Sequence, residues 1–133
     1  MKRKIGAALL SVAAAATTVL GLQSPAAAQT DPSYCVYAIY LPGGWGCFIR
    51  DGDNIVASDT KGDGNHVEVT WMVRHQGSSS YYEAGICSAG YGLTIACDYN
   101  FDKGDDIRFG VGIYHGSALV DDSGWSSWID VGA

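Results

Sequence analysis

Basic residues are scarce in this sequence, with 8 Lys and Arg against 14 Asp and Glu. Three of them, Lys2, Arg3 and Lys4, lie at the start, so the chain after residue 28 has 5 basic residues against 14 acidic ones and a formal charge of −9. An acidic surface of this kind repels phosphate backbones and anionic lipids. We therefore expect partners other than nucleic acid or membrane.

Long apolar runs are absent after the first 28 residues. The run Ile5–Leu22 follows a basic start and precedes Ser-Pro-Ala-Ala-Ala, which is the pattern of a secretory signal peptide with an A-x-A cleavage site. A single-pass membrane anchor is the alternative. The sequence thus predicts a signal peptide at 1–28, a loose segment at 29–33 and a single domain at 34–133, secreted and extracellular.

Apolar residues at helical spacing are also lacking after residue 28. Alternation at period two is clear in HVEVTWMVRH, where Val67, Val69, Trp71 and Val73 share one parity. Turn signals separate further short segments of strand composition. We predict strands at 34–41, 45–50, 54–59, 66–75, 80–87, 93–99, 107–115 and around 125–131. The fold class is all-β, a small disulfide-bonded sandwich of about seven to nine short antiparallel strands without a cofactor.

No C-x-x-C pair is present, which argues against a zinc site among the four cysteines. An even number of cysteines in an exported chain predicts two disulfides, with three possible connectivities. We favour Cys35 with Cys47 and Cys87 with Cys97, because each pair brackets a glycine-rich turn. The second bond would staple a hairpin in which Gly90-Tyr91-Gly92 turns the chain into the strand at 93–99. In the chain-entropy model each short loop contributes about 2.5–3 kcal/mol to stability.

The stretch DTKGDGN, residues 59–65, has some features of a calcium-binding loop. Asp59, Asp63 and Gly64 match EF-hand positions one, five and six, but Lys61 occupies the third ligand position and Thr70 stands where a bidentate Glu belongs. The favoured interpretation is a turn built from Asp, Asn and Gly, with a metal site at Asp59 and Asp63 as the weaker alternative.

This same loop carries a family resemblance. The run GDNIVASDTKGDGNHVEVTW, with a later glycine-flanked cysteine segment and IRFGVGIY, resembles small secreted actinobacterial (Streptomyces-like) β-domain proteins of unassigned function that have a D-T-x-x-D-G loop. Asp59, Thr60, Asp63 and Gly64 carry that motif here, and Asn65 between the glycine and His66 departs from it. The resemblance implies a compact secreted β-domain and transfers no catalytic residue.

One constellation has the residue types of a small hydrolase or nuclease. His66, Glu68 and Arg74 share the polar face of one predicted strand and would supply a base, an acid and an anion-binding group. Solvation of an amphipathic strand explains the same pattern. No G-x-S-x-G motif supports a serine triad, and His66, His75 and His115 lack zinc-ligand spacing.

Aromatic residues near turns give the main binding hypothesis, with Trp45, Tyr91, Trp125 and Trp128 as candidates. Such rings stack on sugars or anchor protein partners, although packing over turns or disulfides is the alternative. In a straight strand Trp125 and Trp128 would face opposite sides. We predict a monomeric, non-enzymatic module that binds an extracellular protein or polysaccharide. An inhibitor of a secreted hydrolase would be one such module. The alternatives are the hydrolase or nuclease and an extracellular structural or spore-surface protein.

Overall fold

Two antiparallel sheets packed face to face make up the computed structural model, which describes residues 29–132. The predicted signal peptide, 1–28, lies outside the described residues. The strands are β1 (Tyr37–Leu41), β2 (Gly44–Ile49), β3 (Asn54–Asp59), β4 (His66–His75), β5 (Glu83–Ala89), β6 (Thr94–Asp98), β7 (Asp105–His115), β8 (Ala118–Asp122) and β9 (Ile129–Asp130). A short 3-10 turn, Pro32–Tyr34, precedes β1. Within 29–132 no helix is long and apolar enough to cross a membrane.

The core lies between the sheets and follows from residue alternation. In β4 every second residue is buried, and the same parity holds for the apolar residues of β7. Burying β-branched and aromatic side chains on one pleated face stabilises both strands against the opposing sheet. The fully buried inward residues include Phe48, Ile55, Val67, Val69, Trp71, Val73, Ile107, Phe109 and Val111. The predicted all-β sandwich is confirmed.

The first sheet has the strand order β1-β2-β3-β6. A two-residue turn at Pro42 and Gly43 joins β1 to β2, and Gly43 has a φ of 113°, which a side chain would oppose. In β2 a Cβ at Gly46 would stand 2.4 Å from Cγ2 of Val69, on the opposing sheet. The absence of a side chain at Gly46 therefore lets the two sheets approach each other.

The second sheet has the order β5-β4-β7-β8, with β9 also paired to β7. Strand β8 was missed by the sequence prediction, because all five of its residues are exposed and no apolar face marks it. The predicted strand at 125–131 is reduced to the two residues of β9. The sequence signal for β8 was the dipeptide Gly116-Ser117, which is typical of a hairpin turn. In the structure this turn joins His115 to Ala118, and the φ of Gly116 is 59°.

The disulfides are Cys35–Cys47 and Cys87–Cys97, as predicted. The associated hairpin prediction was wrong. Strands β5 and β6 do not pair with each other, since β5 pairs with β4 and β6 pairs with β3. The Cys87–Cys97 bond therefore connects the two sheets at one side of the sandwich.

A second apolar cluster lies on the outer face of the first sheet. It comprises buried Cys47, Ile49 and Val56, with Trp45 and Cys35 packed against it. Trp45 is a residue of β2, half-buried, and its ring centroid is 6.0 Å from that of Tyr40. Packing against this cluster and against Tyr40 therefore explains why the Trp45 side chain is half-buried.

Candidate functional site

The outer face of the second sheet bears a groove, which we call the glycine groove. Its floor is formed by Gly110 and Gly112 of β7. These glycines occupy the outward-facing positions of the sheet, where the neighbouring strand β4 has polar side chains. The groove has a volume of about 230 Å³. The described residues that line it are Thr70, Gly110, Val111, Gly112, Tyr114, Leu119, Asp122, Gly124 and Trp125.

The two glycines allow neighbouring groups that border the groove to approach β7 closely. A Cβ at Gly110 would stand 2.7 Å from the carbonyl oxygen of Gly124. A Cβ at Gly112 would stand 2.7 Å from Cε2 of Tyr114 and 3.3 Å from Cδ1 of Leu119. Glycine in a strand interior often marks such a close approach by another group.

One wall of the groove is the segment 123–126, which runs along β7 between β8 and β9. Ser123 and Ser126 each accept a hydrogen bond through Oγ from a β7 amide, Val111 N at 2.9 Å and Phe109 N at 3.1 Å. Their own amides donate to the carbonyls of the same two residues. The serine hydroxyls thus replace the missing strand partner, so the β7 edge is satisfied although 123–126 is not a strand.

Trp125 belongs to a ladder of alternating indole rings and guanidinium groups. The Arg108 guanidinium carbon is 5.0 Å from the centroid of the Trp125 ring and 4.7 Å from that of Trp128, and Arg74 lies 4.1 Å from Trp128. Arg74 also forms an ion pair with Asp106 at 3.1 Å. Cation–π contacts of this geometry contribute roughly 0.5–2 kcal/mol each. Trp125 is therefore held in place while 46% of it remains exposed.

The two tryptophans do not face opposite sides, contrary to the prediction for a straight strand. Both rings contact Arg108, because residues 123–128 are not in strand conformation and Gly124 has a φ of 66°. Trp128 is half-buried and contacts both Arg108 and Arg74, whereas Trp125 lines the groove. Of the predicted aromatic residues, Trp125 is the one that the structure places at the groove.

The predicted trio His66, Glu68 and Arg74 does not form one site. His66 Nε2 and Glu68 Oε1 are 2.9 Å apart, and the His66 ring stacks on Tyr114 with a centroid distance of 5.8 Å. Arg74 lies six residues beyond Glu68 along β4, about 20 Å away at strand spacing. Its guanidinium is already engaged by Asp106 and Trp128.

A polar cluster that sequence reasoning missed lies at the start of β7. Asp105, only 5% exposed, accepts a hydrogen bond from the Tyr82 hydroxyl and lies 3.0 Å from Nδ1 of His75. The Tyr82 hydrogen bond lowers the pKa of Asp105, and His75 acts in the same direction, whereas burial opposes them. Burial, and secondarily the bond to Asp105, raises the pKa of Tyr82.

The loop at 59–65 has the local geometry expected of a turn. Asp59 Oδ1 accepts from the amide of Lys61 at 3.0 Å, and Asp63 Oδ1 accepts from the amide of Asn65 at 3.1 Å. Both are Asx-type bonds to a residue two positions on. Across 29–132 no group of three or more His, Cys, Asp or Glu side chains is arranged to hold a metal ion.

Tyr91 is 67% exposed and leans on this loop. A Cβ at Gly62 would stand 2.8 Å from Cζ of the Tyr91 ring, and Tyr91 bridges to Asp59 through the backbone. Tyr91 is not among the residues that line the glycine groove. Tyr91 therefore packs against the loop at 59–65, on a different part of the surface from the groove.

Comparison of the chain with protein-family models, with curated proteins and with solved structures gives no match in any of the three. The glycine groove must be interpreted from its own chemistry. It offers an exposed indole in cation–π contact with Arg108, a second ring at Tyr114, a Thr hydroxyl and one carboxylate at Asp122. Apolar walls with a few polar groups that fix orientation are typical of small-ligand sites.

Three of these residues, Thr70, Tyr114 and Asp122, were not predicted as site residues. Their proximity depends on the pairing of β4 with β7 and of β7 with β8. The signal in the sequence was that Gly110 and Gly112 alternate with the apolar residues of β7 and so lie on its outward face. Glycines at such positions indicate that another group approaches that face closely.

Proposed function

We propose that this protein is a non-enzymatic polysaccharide-binding module that acts outside the cell. The observation that carries the proposal is Trp125, an indole that is nearly half exposed yet held by Arg108 at the wall of a groove. An indole that is already in contact with a neighbouring guanidinium presents an apolar face and loses less conformational entropy on binding than a free side chain. The apolar face of a sugar ring complements such a surface.

The size and chemistry of the groove support a single sugar ring as the bound unit. A volume of about 230 Å³ is of the same order as the volume of one pyranose ring. Asp122 and Thr70 line the groove and would supply hydrogen-bond partners to hydroxyl groups of that ring. Asp122 Oδ1 already accepts from the Gly124 amide at 2.8 Å, which fixes the orientation of the carboxylate.

The position outside the cell is supported by the two disulfides, which persist in oxidising compartments. The signal peptide that the sequence predicts at 1–28 would direct export. Hydrolysis receives less support, because Arg74 is bound in the ladder and far along β4 from His66 and Glu68.

A single sugar in an open groove binds weakly, which decides how the proposal is tested. At about 0.3 kcal/mol per non-hydrogen atom, a ring of about a dozen atoms gains about 4 kcal/mol, equivalent to a Kd near 1 mM. The suitable assay is therefore retention of the purified protein on insoluble polysaccharides, where many sites are available at high effective concentration.

Trp125→Ala should abolish retention, and Tyr91→Ala is the matched control, since Tyr91 is an exposed aromatic residue that does not line the groove. Circular dichroism establishes that both variants fold. Equal retention of the wild type and Trp125→Ala would contradict the proposal, as would retention on no polysaccharide together with capture of a secreted protein.

A further inference from the structure

The charges around the glycine groove point to a particular class of sugar. Asp122 is the one charged residue among the described residues that line it. Strand register places Glu68 of β4 and Asp122 of β8 on opposite sides of Gly112. At about 4.8 Å per strand, their backbones are about 10 Å apart. Asp122 therefore lines this end of the groove, and Glu68, whose Oε1 lies 2.9 Å from His66 Nε2, stands beside it.

The basic residues of 29–132 leave this end of the groove acidic. Arg74 is paired with Asp106, and Arg50 donates to the carbonyls of Asp130 and Val131. The Arg108 guanidinium lies 5.0 Å from the centroid of the Trp125 ring, so positive charge is present beside that wall. Gly112 is four residues further along β7, about 13 Å from Arg108 at strand spacing, and the acidic end of the groove is therefore the one at Gly112. None of the five basic residues is among those that line the groove.

We infer that the preferred ligand is a polysaccharide whose sugars carry free, protonated amino groups, as in a glucosamine polymer. This inference rests on the proposed function and adds the substrate class. The sugar ring lies on Trp125, and its ammonium group forms a charge-assisted hydrogen bond with Asp122, with Glu68 adding to the local negative potential. Acidic polysaccharides are repelled by the same carboxylates and by the overall charge of the protein.

The test compares a soluble glucosamine oligosaccharide with its fully N-acetylated counterpart, which has the same rings without the positive charge. Affinities are measured by calorimetry on the purified protein. The amine-bearing oligosaccharide should bind about tenfold or more tightly, since hydrogen bonds between charged groups exceed neutral ones by that amount. The difference should shrink at about 1 M salt, because exposed charges are then screened.

Two variants assign the effect to the groove. Asp122→Asn should lower the affinity for the amine-bearing oligosaccharide about tenfold and the affinity for the N-acetylated one by much less, since the Asn side-chain oxygen still accepts from Gly124. Asp121→Asn is the matched control, an exposed carboxylate on the same strand that does not line the groove.

Each outcome has a distinct meaning. Equal affinities for the two oligosaccharides, or equal loss in Asp121→Asn and Asp122→Asn, would overturn the inference and leave the polysaccharide-binding function standing. Absence of binding to both oligosaccharides and to every insoluble polysaccharide would remove the proposed function and this inference together.

Discussion

At the scale of single residues, Asp105 shows how a buried carboxylate is retained near a surface. It is enclosed by the Tyr82 hydroxyl and the imidazole of His75, and the His75 ring stacks on Tyr82 with centroids 4.5 Å apart. The side chain of His75 is 70% exposed, so the cluster reaches solvent through the histidine. The ionised form of Asp105 is thereby favoured over the protonated form.

This arrangement predicts a specific loss of stability in acid. The folded-state pKa of Asp105 is lowered below the ordinary value of about 3.9, so its contribution is present above that pH and is lost as pH falls through the folded-state pKa. Tyr82→Phe removes the largest stabilising contact. We expect the variant to lose about 1 kcal/mol near neutral pH and to show a shallower decline of unfolding free energy below about pH 4.

Chemical denaturation at a series of pH values measures both effects. Tyr81→Phe, at the exposed neighbouring tyrosine, is the control and should follow the wild type throughout. Parallel acid profiles for the wild type and Tyr82→Phe would show that Tyr82 does not stabilise the Asp105 carboxylate.

At the scale of elements, the segment between β8 and β9 is held by side chains rather than by strand pairing. Ser126 accepts from the Phe109 amide, and its own amide donates to the Phe109 carbonyl at 2.8 Å. This pair of bonds positions the chain just after Trp125 and therefore the wall of the groove. A serine hydroxyl that performs this function is difficult to distinguish in the sequence from an ordinary solvated serine.

Ser126→Ala should destabilise the protein by about 1–2 kcal/mol, because the partly buried Phe109 amide loses its acceptor. Thermal or denaturant unfolding measures the change. The exposed neighbour Ser127 provides the control, and Ser127→Ala should have no measurable effect. Equal stability of the two variants would mean that water replaces the hydroxyl and that the bond does not position the segment.

The sequence predicted elements well where one face is buried. Strands β3 and β4 have the predicted bounds, since Asn54–Asp59 and His66–His75 combine strand composition with clear turns at each end. Strand β8 was missed because its residues face solvent throughout. The Arg74–Trp128 contact was also beyond prediction, because the two residues are distant in the chain and meet only through the pairing of β7 with β4 and β9.

At the scale of the whole molecule, the disulfides have unequal architectural roles. Cys35–Cys47 ties the N-terminal segment to β2 within one sheet, whereas Cys87–Cys97 joins β5 of one sheet to β6 of the other. Their loops are similar, with sequence separations of 12 and 10 residues, so the chain-entropy contribution to stability is about equal. If removal of Cys87–Cys97 lowers the free energy of unfolding more than removal of Cys35–Cys47, the difference measures the contribution of joining the two sheets.

We expect reduction of both disulfides to lower the unfolding free energy by about 4–6 kcal/mol, enough to unfold much of the protein at 37 °C. The double variant Cys87→Ala, Cys97→Ala should lower the free energy of unfolding by at least about 2–3 kcal/mol, because it also frees the two sheets from each other. The double variant Cys35→Ala, Cys47→Ala should lower it by no more than about 2–3 kcal/mol. Unfolding curves with and without reductant test this. An unchanged melting temperature in reductant would show that the apolar core alone holds the sandwich together.

The central claim, that the glycine groove binds a sugar, is tested most directly by two-dimensional NMR during titration with the glucosamine oligosaccharide. Our account predicts that the largest shifts fall on the amides of Thr70, Gly110, Gly112 and Gly124 and on the indole N–H of Trp125, and that they disappear in Trp125→Ala. Shifts confined to another surface, such as the Tyr91 loop, or no shifts at millimolar oligosaccharide, would contradict it.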